Sequence, residues 1–568
     1  MLIYYIKFFS CLFLFFLFIK RKNILNDIPA TYLILLLTLS EFIFLNTNSA
    51  FHWTLSGDIS VLRKLHDKSM LDNDIVTLSN YHSPKIIYYS IIYVITKILS
   101  ISELFLFYVI KLIILFLTPI IIFFTIVKTL TNKENILFIK DNLFLRFFAF
   151  ITSIGYLEVF PRIAKLGWMS FNVRTISDPY GVSGFFGLLS LFYLSYYSKF
   201  DFKWFSLIFI SILIHPVFGI PFLFLSFILF FKKKYYFEFK KNINFFIKYL
   251  SYSILIFLYL LLLSIYFENN FINTEEFIKI YVYERHPHHY LVSSFLNPYG
   301  VLWLVSPLLL VPINLILKRP DKALICFMGG VFFIACIFFQ WFFIEIYPSK
   351  IIAKLGPARF LSFNLVVYVI LFISTLSEFI PKLNFKKFYY YEKKKNNKYF
   401  NLNSTIASLF ILILITSTTH DKNNISGLNL TKNSKYEIEY NNNKLELLEN
   451  LKSINSNTIF NSFLPGITIS IRSLNGQNIY YDQVFPFNEK YIKTWDKRRK
   501  ENKILEKVLN INPEEFVRLS YDNKIDYHIF EKEELHKNTL KVFKFCNNIV
   551  YENKYFAVIN IKSYNVCN

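Results

Sequence analysis

Residues 204–231 read WFSLIFISILIHPVFGIPFLFLSFILFF, a run interrupted by nothing more polar than Ser206, Ser211, His215 and Ser226. Lysine closes it on both sides, with Lys203 before it and Lys232-Lys233-Lys234 after it. Clustered Lys and Arg mark the cytoplasmic ends of membrane segments, so both ends of this run belong on the same side. The chain must therefore turn back midway, at His215-Pro216-Val217-Phe218-Gly219. Proline removes a backbone donor there and glycine permits the turn. The pattern predicts two short helices, 204–214 and 216–231, meeting near the outer face. Irregular backbone at membrane depth needs protein cover or a water-lined cavity, which implies a cavity opening outward.

The rest of the chain agrees with a membrane setting. Its 568 residues are 54% hydrophobic, 20% aromatic and 18% charged, with mean hydropathy +0.39. Soluble domains carry about 25% charged residues, so disorder, a disulfide scaffold and a purely soluble enzyme are excluded. Apolar stretches of spanning character fall near 2–19, 31–46, 103–127, 143–160, 179–198, 204–214, 216–231, 245–267, 299–317, 322–344, 359–380 and 403–418. Loops on one side of these segments hold 25 Lys and Arg in 76 residues, against 13 in 120 on the other. The net charge of +23 is thus mainly a topology signal, and a nucleic-acid partner is excluded. The fold class expected is a predominantly α-helical multi-pass membrane protein with about twelve segments. A membrane domain spans 1–418, and a small exported α/β domain spans 419–568. Lys20-Arg21-Lys22 follows the first apolar run rather than preceding it, so that run reads as an anchor and not as a cleavable signal.

The chemically suggestive residues gather on the outer side. The first outer loop, 47–102, begins Phe51-His52-Trp53-Thr54-Leu55-Ser56-Gly57-Asp58 and reaches Leu71-Asp72-Asn73-Asp74. Its apolar stretch 86–100 is short for a span and reads as a helix lying at the interface. The third outer loop carries Tyr283-Glu284-Arg285-His286-Pro287-His288-His289-Tyr290. The fourth runs from Tyr347 through Lys350 and Lys354 to Gly356-Pro357-Ala358-Arg359. Ionisable groups beside a bilayer cost free energy to place and so mark function. In the tail, helix signals at 443–454 and around 488–510 alternate with strands at 458–460, 479–481 and 525–530. A closing hairpin follows at 548–552 and 555–561. Cys546 and Cys567 are free to pair if the compartment is oxidising. No Gly-rich phosphate loop, CxxC pair, HExxH or GxSxG occurs.

This arrangement resembles the GT-C superfamily of polytopic membrane glycosyltransferases. The resemblance rests on a long first outer loop with early acidic residues, an interfacial helix, short hairpin helices and an exported α/β domain. More narrowly, the chain resembles uncharacterised bacterial membrane proteins with an Arg285-His286-Pro287-His288-His289 type of loop and a Trp495-Asp496-Lys497-Arg498 stretch. The resemblance implies transfer from a polyprenyl-phosphate sugar, a lipid-linked donor, to an acceptor it does not specify. It also implies a bacterial inner or cell membrane with the C-terminal domain outside, and an acidic residue of the first loop as base. Asp58 matches that position and Asp74 is the second candidate. The family's paired acidic motif is absent, with Asp72-Asn73-Asp74 the nearest equivalent.

Chemistry assigns the same roles. An acceptor hydroxyl must lose its proton as it attacks the anomeric carbon, so one positioned carboxylate serves a single inverting displacement. The departing lipid phosphate gains negative charge, which Arg285, His286, His288, His289, Lys354 and Arg359 would stabilise. Other readings stay open. Asp58 caps a helix after Gly57 in one, Asp72 and Asp74 form a solvated turn in another, and His286, His288 and His289 bind a divalent metal such as zinc in a third. No cofactor is otherwise expected; the partners are the lipid donor and membrane lipids. A transporter or flippase for a lipid-linked or anionic solute, or a non-catalytic assembly or sensor protein, are the alternative functions.

Overall fold

A computed structural model describes residues 53–103, scattered positions from 105 to 125, 179–230 without 198, 239–267, 271–294, 298–360, and 434–562 without 456, 485, 487 and 547. The expected segments 2–19, 31–46, 143–160 and 403–418, and nearly all of 359–380, lie outside the described residues. The chain divides into two compact units. A helical unit comprises Met1–Ala50, Phe107–Leu262 and Tyr281–Ile425, and a sheet-bearing unit joins Phe51–Leu106, Leu263–Ile280 and Ser426–Asn568. The exported domain foreseen at 419–568 is thus joined by most of the first outer loop.

That loop supplies three helices: α1 (Trp53–His66), α2 (Ile75–Tyr81) and α3 (Ile86–Leu99). The helical unit follows, with α4 (Pro179–Tyr197), α5 (Phe202–Ile214) and α6 (Pro216–Phe230). The chain folds back between α5 and α6 as the sequence predicts. Trp204 Nε1 at the start of α5 donates to Ser226 Oγ near the end of α6, at 3.2 Å. His215 is extended at the break, with φ −153 and ψ 100, because Pro216 cannot continue the ladder. The helices approach closely through glycine. A Cβ at Gly219 would stand 2.6 Å from the Ile212 backbone nitrogen, and one at Gly187 of α4 would stand 2.1 Å from the Phe222 ring.

The long helix α7 (Phe239–Phe267) runs on to the short α8 (Thr274–Ile278) of the other unit, and a π turn, Lys279–Arg285, leads to α9 (Pro287–Tyr290). Then come α10 (Pro298–Ile316), α11 (Pro320–Trp341), which continues as a π turn Phe342–Ile346, and α12 (Lys350–Leu355). Among the described residues, Phe246–Leu263 and Lys322–Ile346 are long and apolar enough to cross a membrane. Along α7, Phe246, Leu250, Ile254, Phe257 and Leu261 are all exposed. A continuous apolar face of that length is foreign to a water-facing surface.

The tail forms α13 (Ser434–Leu451), β1 (Ile459–Ser462), α14 (Pro465–Ser470) running into a π turn Ile471–Asn475, and β2 (Asn478–Ile479). After these stand α15 (Glu489–Val508), α16 (Pro513–Asp522), β3 (Tyr527–Glu531), α17 (Lys537–Phe545), β4 (Ile549–Glu552) and β5 (Phe556–Asn560). The sheet order is β2-β1-β3-β5-β4. The first three strands run parallel, while β5 is antiparallel to both its neighbours. Leu447, Leu448, Phe460, Ile467, Ile479 and Ile529 bury one face, and Leu505, Phe516, Phe530 and Phe543 bury the other. Both faces of the central strands are covered, so β1, β3 and β5 are buried along most of their length, whereas the edge strand β4 alternates between half-buried and exposed positions.

Candidate functional site

Asp58 lies in the middle of α1 and not at its start, which removes the capping alternative for it. Its side chain is 4% exposed. Tyr89 of α3 donates its hydroxyl to Asp58 Oδ1. Among the described residues Oδ2 has no hydrogen-bond partner. Burial pushes the carboxyl up from its ordinary range to about 6, against the opposing pull of the Tyr89 hydroxyl and the Lys85 ammonium. Desolvation penalises the charged form, and neither counter-influence is strong enough to reverse it. A carboxyl so tuned releases its proton just below neutrality, the range suited to a general base at pH 7.

Asp74 occupies a different environment, fully buried at the start of α2. Its Oδ1 accepts from Thr77 N at 2.8 Å, which makes it the helix N-cap. Its Oδ2 accepts from Arg472 Nε at 2.8 Å and from Ile479 N at 3.3 Å. Arg472 also donates to Asp482 Oδ2 at 2.5 Å. Burial pulls the Arg472 guanidinium down, but the two carboxylates beside it reverse the direction and keep it charged. Thr77 Oγ1 then donates to Ser60 Oγ of α1 at 2.7 Å, two residues from Asp58. Asp72 accepts from the buried Lys64, whose ammonium also reaches the carbonyls of Lys68 and Met70.

Further donors lace the first loop to the tail. Arg63 donates to the carbonyls of Ser473 and Leu474 at 2.7 and 2.9 Å. Arg498 donates to Asn73 O at 3.2 Å, and Asn73 N donates to Asn478 Oδ1 at 2.9 Å.

In the helical unit the segments around 281–294 and 345–359, expected from the sequence to be the third and fourth outer loops, are tied together. Gln340, fully buried near the end of α11, donates Nε2 to Tyr290 O at 2.8 Å and accepts from Ala358 N at 2.9 Å. Glu345 accepts from Val292 N at 2.8 Å. The hydroxyls of Tyr281 and Tyr290 meet at 2.6 Å, and the His286 ring stands edge-on to Tyr281 at 5.5 Å. Arg285 and His286 are half-buried, as is Lys354 on α12. The backbones of His288, His289 and Arg359 belong to these same turns; their side chains lie outside the described residues. The two loops expected to share a cationic surface are therefore neighbours, while Asp58 and Asp74 belong to the sheet-bearing unit.

Sequence reasoning missed Gln340, Glu345, Tyr89 and Lys85. Gln340 left the clearest signal, as the only strongly polar residue in 323–344. Among the described residues no group of three or more His, Cys, Asp and Glu side chains is placed to hold a metal. Cys546 is disulfide-bonded, with its partner outside the described residues, while Cys326 and Cys336 are free and buried. The chain matches no family model and no curated protein.

Proposed function

We propose that the chain is a multi-pass membrane glycosyltransferase of GT-C type, moving a sugar from a polyprenyl-phosphate-type donor to an acceptor on the outer face. The observation that carries this reading is Asp58, a buried carboxyl raised to about 6 with one oxygen that has no hydrogen-bond partner among the described residues. Perturbed carboxyls with spare hydrogen-bonding capacity are characteristic of acid–base sites. Asp58 acts as the base that takes the acceptor proton. Asp74 is occupied in an ion pair and a helix cap, and serves to hold α2. The cations proposed to neutralise the leaving phosphate are Arg285, His286, His288, His289, Lys354 and Arg359, carried by two loops whose backbones Gln340 ties together. Twelve segments with both termini outside accommodate the two spanning helices and the α5–α6 hairpin. The disulfide at Cys546 suits an oxidising, extracytoplasmic compartment.

The test is Asp58→Asn in membranes supplied with a labelled polyprenyl-phosphate sugar, reading labelled glycolipid or glycan. Transfer falls by about 10²–10⁴-fold if Asp58 is the base. A correctly folded variant with undiminished transfer overturns the assignment.

A further inference from the structure

Helix α15 carries Lys490, Lys493, Lys497, Lys500, Lys503 and Lys507, all exposed along one side. From first to last they span about 26 Å at 1.5 Å per residue. Ile492, Trp495, Asn502 and Leu505 on the opposite side are buried, so the row is held rigidly on the domain. Glu276, Glu501 and Asp496 pair with Lys493, Lys497 and Lys500. Among the described residues Lys490, Lys503 and Lys507 stand in no ion pair.

The row begins beside the approach to α3. Asn488, the N-cap of α15, donates Nδ2 to His82 O at 2.6 Å and its backbone N–H to Ser79 Oγ at 2.9 Å. The rings of His82 and Tyr491 stack at 6.3 Å. A few residues on, α3 buries Tyr88, Tyr89, Ile92 and Thr96 while exposing Ile91 at 44%, Val94 at 50%, Ile98 at 75% and Leu99 at 57%. The start of the lysine row is thus fastened to the turn that leads into the apolar helix α3, within one unit.

We propose that this edge docks on an anionic bilayer surface, with the lysine row of α15 lying over phosphate headgroups. The interfacial seat of α3 already follows from its sequence; the headgroup-reading row is the new element, and it does not depend on the transferase reading. A lipid surface is favoured over a free polyanion because only a bilayer offers acyl chains for Ile91, Val94 and Ile98 next to anions for the lysines.

The full chain is reconstituted in nanodiscs of phosphatidylcholine alone or mixed equally with phosphatidylglycerol. Acylation rates of individual lysines are then read by mass spectrometry. Docking slows Lys497, Lys503 and Lys507 by about three-fold or more in the anionic discs, an effect that salt reverses. The exposed Lys452 and Lys541, elsewhere on the same unit, keep their rates. Equal rates in both discs overturn the proposal, as does equal slowing of Lys452 and Lys541. Protection by added polyphosphate in zwitterionic discs without protection by anionic lipid overturns it in favour of a soluble polyanion.

Discussion

Asp58 and Asp74 stand sixteen residues apart in one loop; both are buried, yet their surroundings differ in kind. Asp74 receives N–H donors on both oxygens and faces a guanidinium that a second aspartate also holds. Asp58 receives one phenolic hydroxyl, and among the described residues its other oxygen has no hydrogen-bond partner. Burial with complete partners makes a carboxylate part of the frame. Burial with incomplete partners leaves it poised to exchange a proton. The contrast also divides the labour of the loop: Asp74 anchors it to the tail, and through Thr77 and Ser60 that anchor reaches the helix carrying Asp58.

The largest expected effect lies on the frame side. Arg472→Ala strands Asp74 and Asp482 as unpaired buried charges, which costs about 3–5 kcal/mol. Thermal unfolding of the purified protein reads this loss. Adding Asp74→Asn to the same variant recovers part of it, because one of the stranded charges is gone. An Arg472→Ala protein that melts like its parent breaks the comparison at its strongest point.

The substitution at Asp58 moves stability the other way. Its folded pKa of about 6 lies above the ordinary value, so its contribution is complete below about pH 4 and is lost as pH rises through 6. Above that window the buried charge is a burden of about 1–3 kcal/mol. Asp58→Asn, neutral throughout, therefore raises the melting temperature at pH 7 and flattens the pH dependence between 4 and 6, while on the proposed assignment of Asp58 as base it lowers transfer. A loss of both stability and transfer would instead give Asp58 a framework role like that of Asp74.

His528 supplies an intermediate case. It is fully buried on β3, and burial pushes its pKa down to about 3. The Ser520 hydroxyl donates to Phe516 O and so accepts from His528 Nε2, which sets the Nε2–H tautomer, while among the described residues Nδ1 has no hydrogen-bond partner. The unfolded chain binds a proton below about pH 6.5 that the folded one refuses. Stability therefore declines by about 1.4 kcal/mol per pH unit as pH falls from about 6 toward 3. Denaturant midpoints across that range check the slope, and His528→Leu removes this component of it.

Much of the architecture was legible because it follows from local chemistry. The α5–α6 hairpin follows from lysines at both ends of an apolar run with His215-Pro216 between them. The tail strands lie within a few residues of their expected places because apolar runs bounded by turn residues mark them. Helix α16 went unread, although Asn512-Pro513-Glu514-Glu515 carries the cap, the proline and the first-turn acids that start a helix. The site was less legible. Asp58 is recognisable as an early acidic residue of the long segment 47–102, but Tyr89, thirty-one residues on, is one of 39 tyrosines. Only the fold selects it. The bond between Asp74 and Arg472 joins positions 398 apart, a contact that neither periodicity nor spacing announces.

The finest test of the comparison leaves the frame untouched and changes only how incompletely Asp58 is partnered. Tyr89→Phe keeps the ring that packs behind α1 and deletes the one hydroxyl that favours the ionised carboxylate. The carboxyl then rises further, and the acid limb of the pH–rate profile moves upward by about 0.5–1 pH unit, equivalent to one hydrogen bond of about 1 kcal/mol. Lys85→Gln moves the limb the same way by less, since its influence is a field rather than a bond. Neither substitution touches Arg472 or Asp482, so the melting temperature changes little. If the acid limb stays fixed while transfer falls, the titrating base is a group other than Asp58, and the division of labour between the two aspartates has to be redrawn from the other ionisable residues of the loop.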